Sequence, residues 1–106
     1  FGTDFPVESI NPYQTLSAAV SRQDPEGDPV GGWQPQERLS MAAAIRCHTY
    51  ESAFAEFMEK EKGTIEAGKL ADLVVHSKDL LTIPHAEVLT TEPVYTIFNG
   101  RVVYQK

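Results

Sequence analysis

The chain has 106 residues, 42% of them hydrophobic and 23% charged, the balance of one globular domain and too short for two. Its net charge of −6 comes from 15 acidic against 9 basic side chains with no basic run, which argues against nucleic acid and against an anionic membrane surface as partners. No apolar stretch approaches the roughly 18 to 20 residues that span a bilayer, no signal-peptide pattern opens the chain, and the lone Cys47 excludes an internal disulfide and fits a reducing, cytoplasmic compartment.

The first eight residues place Asp4 between small and aromatic neighbours, with Pro6 pushing Phe5 towards an extended conformation. A strand running into this segment must end near Asp4, and in α/β sheets and barrels the carboxyl end of a strand is where chemistry is done. On spacing alone, Asp4 reads more readily as turn chemistry than as a catalytic acid. Asn11 then reads as an N-cap, Pro12 as the first helical residue and Gln14 as the partner that completes a capping box. Tyr13, Leu16 and Val20 form one apolar stripe on the helix that follows.

Residues 22–35 carry Gly27, Gly31 and Gly32 together with Pro25, Pro29 and Pro35, which predicts a loop. Trp33 inside it is expected to anchor that loop onto its own domain. Ser40 caps a second helix with Met41, Ala44, Ile45 and His48 on one face. A shorter helical run over 51–58 has Phe54, Phe57 and Met58 as its apolar edge, and Gly63 is a stop signal beyond the charged residues 59–62. After Gly63 the period changes: 71–76 is a β-branched run and 84–89 looks like one helical turn. Asn99-Gly100 between two β-rich runs predicts a type I′ hairpin, pairing Phe98 with Arg101, Ile97 with Val102, Thr96 with Val103 and Tyr95 with Tyr104. Gly63 and Gly68 permit chain reversals, and Asp72 is read as a structural hydrogen-bonding residue. Three strands make a poor sheet alone, and the apolar faces at 13–20 and 41–48 are expected to stand exposed and drive self-association.

His48, His76 and His85 form no His-x-His, His-Glu-x-x-His or Cys/His pattern, so no self-contained metal site is visible. His48 is read as a satisfied, half-buried imidazole, and Cys47 as a packing residue.

Three segments together resemble the metal-dependent amidohydrolases, in the amidohydrolase-3 (YtcJ-like) branch. Residues 2–22 resemble the end of the last barrel strand and its following helix. Residues 37–57 look like that family's closing helices. Residues 62–84 and 94–104 are similar to the segment that leaves the barrel and finishes its accessory β-sandwich. The resemblance covers nearly all of the chain. It implies an α/β fold class: the C-terminal portion of a (β/α)8 barrel plus part of an accessory β-sandwich, incomplete on its own. The division it implies is residues 1–62 for the strand end and helices, and 63–106 for the sandwich strands. It further implies a hydrolase that cleaves amide-type C–N bonds of a small-molecule substrate through a water activated by a divalent metal, zinc, in the full-length parent. Of that family's ligands only the aspartate after the last strand carries over. It falls on Asp4, expected both to touch the metal and to act catalytically by taking a proton from the attacking water. The remaining ligands belong to strands that these residues do not include, so the fragment alone is expected to hold no metal tightly and to be inactive. Two other readings stay open: a non-enzymatic binding or assembly module, and an amidohydrolase relative that has lost catalysis.

Overall fold

A computed structural model describes residues 1–106. Three α-helices, α1 (Pro12–Ser21), α2 (Met41–His48) and α3 (Tyr50–Ala55), precede three strands, β1 (Leu73–His76), β2 (Pro93–Phe98) and β3 (Arg101–Gln105). Short 3-10 turns occupy Pro35–Glu37 and His85–Thr90.

Helix α1 starts where expected. Pro12 is its first residue, and the Asn11 side chain accepts the Tyr13 N–H at 3.0 Å. The capping box does not close, because the Asn11 N–H is taken at 3.2 Å by the hydroxyl of Ser9 instead of by Gln14. Ser40 caps α2 by accepting the Ala43 N–H at 3.2 Å. The core joins Tyr13, Leu16 and Val20 of α1 to Met41 and Ala44 of α2, and it is completed by Leu80 and Val88 from the segment between β1 and β2. It therefore crosses from residues 1–62 into residues 63–106. Only ten of 106 residues are buried, so each member of this cluster carries a large share of the apolar burial.

Three expectations are corrected. The faces of α1 and α2 do not stand exposed, because they close on each other and on the His85–Thr90 turn. The third helix is shorter than expected and turned the other way. Its buried residue is Ala53, while Phe54 and Phe57 point outward, Phe57 at 90% exposure. Ala53 is chosen because Gly63 lies against it: a Cβ added to Gly63 would stand 2.8 Å from the Ala53 methyl, leaving no room for a ring. Gly63 thus serves as a contact point rather than as the stop of α3, whose last turn is followed by Glu56.

The sheet is antiparallel in the order β1-β2-β3. Asn99 and Gly100 take the positive φ values, 48° and 75°, that a type I′ turn requires. Phe98 pairs with Arg101 and Ile97 with Val102 as expected, but Thr96 pairs with Tyr104 and Tyr95 with Gln105. The third correction follows: a bulge at Val103 shifts the register by one residue, which a turn signal alone does not encode. Asp72 has the structural role expected of it. Its carboxylate accepts the Asn99 N–H at 2.8 Å, and Ala71 O accepts the Gly100 N–H at 3.0 Å, so the hairpin turn is tied to the start of β1.

These residues make a small α/β unit with a single three-stranded sheet, and they form neither a barrel nor the second layer of a sandwich. The Cα radius of gyration is 14.5 Å, against about 13 Å for a compact chain near this length. The excess reflects a gap between helices and sheet. The close packing pairs among the helices and turns are α1 with α2, α2 with α3, and α1 with the His85–Thr90 turn, and no strand packs on a helix as closely.

Candidate functional site

Two places carry chemistry-bearing residues. The first is Asp4. No strand leads into it, since residues 1–3 have no regular structure. Asp4 sits in a turn at φ 52°, its carbonyl accepting the Val7 N–H at 2.9 Å, and its side chain is exposed. No group of three His, Cys, Asp or Glu side chains comes together to hold a metal ion. A lone exposed carboxylate has the chemistry of one ligand or one base, not of a centre.

The second place is the gap between helices and sheet, a cleft of about 900 Å³. Tyr13 and His48 line it from the helical side, with His76 and Thr96 from the sheet. The Tyr13 hydroxyl stands 2.8 Å from His76 Nδ1, and the two rings meet edge to face. The direction follows the His76 tautomer: the Tyr13 O–H donates to Nδ1 when the ring proton sits on Nε2, and Nδ1–H donates to the Tyr13 oxygen when the proton sits on Nδ1. Burial pushes the Tyr13 hydroxyl above its ordinary pKa and His76 below its own, so both groups favour their neutral forms in this contact. His76 as a whole residue is exposed while the hydrogen bond is half-buried, so the shielding is confined to the side facing Tyr13.

His48 is half-buried, as expected, but not satisfied: its Nε2 is buried without a partner. Burial lowers its pKa. The Phe1 ring packs edge-on against it at 5.4 Å. His85 begins its 3-10 turn exposed to solvent and joins neither place. Cys47 is a half-buried free thiol.

The proline- and glycine-rich loop is fastened to itself. Arg22 donates to the Trp33 carbonyl at 3.1 Å and lies 5.0 Å over the Trp33 ring, while the Arg22 carbonyl accepts the Trp33 N–H at 2.8 Å. Arg38 donates to the carbonyls of Ser21 and Gly31, and Asp24 accepts the N–H groups of Glu26 and Asp28. Trp33 anchors the loop, as its composition suggested, though through Arg22 rather than by burial.

The Tyr13–His76 pair was not legible from the sequence, since its members are 63 residues apart. The one available signal was a tyrosine on the buried stripe of a helix, whose hydroxyl must find an acceptor somewhere.

Residues 1–104 match the family model described as the amidohydrolase family. The chain is 32% identical over 105 residues to a Bacillus subtilis (strain 168) protein named as an amidohydrolase, YtcJ, covering 99% of this chain and 20% of that protein. It is 29% identical over 104 residues to an N-substituted formamide deformylase of Arthrobacter pascens, covering 98% of this chain and 19% of that enzyme. It is 40% identical over 76 residues to the protein LONG AFTER FAR-RED 3 of Arabidopsis thaliana, covering 72% of this chain and 13% of that protein. The chain thus spans a fifth or less of the length of these relatives. No solved structure matches.

Proposed function

Because the chain belongs to the amidohydrolase family, we propose that it is the carboxyl-terminal part of a hydrolase that opens amide-type C–N bonds of a small molecule. The observation that carries this reading is the match over residues 1–104, together with a relative named for removing formyl groups from N-substituted formamides. The residues present do not fit a metal centre, because no group of three ligand side chains forms at Asp4 or elsewhere. The divalent ion of the family, zinc in this reading, therefore depends on ligands outside these 106 residues. What this chain contributes is the Asp4 carboxylate, a general base that accepts a proton from the attacking water. Exposure of Asp4 in the separate unit is consistent with a group that would face partners supplied by the rest of the enzyme.

The test is made on the full-length enzyme with an N-substituted formamide and a simple amide as substrates. Asp4→Asn is expected to lower kcat by about 10²- to 10⁴-fold, the range for removing a general base, with an unchanged thermal midpoint. Hydrolysis at the wild-type rate in the Asn variant would remove Asp4 from the mechanism. An active-site metal with no hydrolysis of either substrate would point to other chemistry.

A further inference from the structure

Helix α3 ends on a residue whose side chain its backbone conformation disfavours. After Ala55 the chain passes through Glu56 to Phe57, which takes a left-handed φ of 61°. The Met58 N–H donates to the Ala53 carbonyl at 2.8 Å and the Phe57 N–H to that of Phe54 at 3.0 Å, the bond pair of a Schellman stop. The left-handed position of that stop is ordinarily glycine, because an L side chain is strained there. The Phe57 ring has no compensating burial within these residues, since it is 90% exposed. We propose that Phe57, together with Phe54 one turn earlier, forms a docking ridge that inserts into an apolar pocket on the part of the hydrolase outside these 106 residues.

Three observations define the surface that the ridge fits. Phe54 is exposed and stacks on Tyr50 at 6.5 Å, and the Arg46 guanidinium lies 4.3 Å over the Tyr50 ring, so Phe54 is held outward by its own neighbours. The nearby charges neutralise each other, Arg46 with Glu51 at 2.7 Å and Glu56 with Lys62 at 2.6 Å. Neither pair asks for a counter-charge, which favours an apolar partner over a charged one. The buried side of α3 has no room for either ring, because the Gly63 backbone lies against Ala53 there.

The occupant is the rest of the enzyme, a choice that rests on the proposed reading of this chain as part of a longer hydrolase. The chain spans 13%, 20% and 19% of its three relatives, so most of such a protein lies outside these residues. A second copy is a poorer fit. Aromatic side chains bury about 150–250 Å² each, so two such ridges meeting face to face fall short of the roughly 1,200 Å² of a stable interface.

The experiment is made on the full-length enzyme and reads no activity. Hydroxyl-radical footprinting compares the oxidation of Phe54 and Phe57 in the native and the urea-unfolded protein. Both rings are expected to be protected in the native enzyme to the degree of Leu16 and Val20 in the core, and oxidation of either ring at its unfolded rate overturns the ridge. This arm needs no variant. Phe57→Gly supplies a second arm in which the sign decides. With the ring free, glycine only relieves the left-handed strain, and the thermal midpoint stays or rises. With the ring docked, the midpoint is expected to fall by about 3 °C or more. A midpoint that is unchanged or raised therefore overturns the proposal. Protection that disappears when the enzyme is diluted to its monomer assigns the face to a second copy and overturns it equally. An enzyme that hydrolyses neither amide yet protects both rings keeps the ridge and loses only the hydrolase reading.

Discussion

The helical body and the sheet are built from segments of similar apolar content, yet they end in opposite states. Helices α1 and α2 meet each other, and Val20 and Ala44 reach zero exposure. The sheet has good hydrogen-bonded register and a well-made turn, but Val74, Val75, Val102 and Val103 all keep 46% or more of their surface. The difference teaches that backbone pairing and burial are separate achievements. A hairpin is fixed by its turn residues and ladder, whereas burying its faces needs a second layer. The helices found theirs within the chain, and the strands did not.

That contrast can be broken most severely from the helical side. Leu16→Ala removes a side chain that is 5% exposed and is expected to cost about 3 kcal/mol, a large part of a stability of about 5–15 kcal/mol. Chemical denaturation would measure it, and a loss below about 1 kcal/mol would mean that the core is looser than its burial implies. Asp72→Ala leaves the core alone and removes the acceptor of the Asn99 N–H, with an expected cost of about 1 kcal/mol. Faster hydrogen exchange in β2 and β3 than in α1 would localise that loss to the sheet.

Acid should bear on the junction between the two regions. His48 and His76 are both held below their ordinary pKa, so the unfolded chain binds protons that the folded chain resists. Their contribution to stability is present above the unfolded value near 6.5 and is lost as pH falls through the lower folded values. A thermal midpoint that is flat above about pH 7 and falls towards about pH 5 is the expected result, and a midpoint that rises on acidification would contradict it. The smallest effect belongs to the open sheet. Val75→Thr and Val102→Thr are each expected to change stability by less than about 0.5 kcal/mol, because neither residue loses a buried contact. A cost several times larger would reveal that these faces are covered in solution.

Local signals were read well wherever a few adjacent residues determine the geometry. Asn11-Pro12 placed the start of α1, Ser40 that of α2, and Asn99-Gly100 the hairpin. The reading failed where the answer depends on distant chain. Phe54 and Phe57 looked like a buried edge, but which face of α3 turns inward is set by Gly63 fitting against Ala53. The bulge at Val103 lies beyond the turn residues that carry the hairpin signal, and the expected exposure of α1 and α2 ignored the reach of Leu80 and Val88. For the candidate site, Asp4 gained its role only from the resemblance, since its turn and exposure look like those of any surface aspartate.

The way the core crosses the chain has a consequence during synthesis. Helices α1 and α2 are complete long before Leu80 and Val88 leave the ribosome, and His76 itself lies 63 residues beyond Tyr13. At about 5–20 residues per second, that interval lasts roughly 3–13 s. For that time the stripe of Tyr13, Leu16 and Val20 is covered only in part, far longer than the microseconds a helix needs to form.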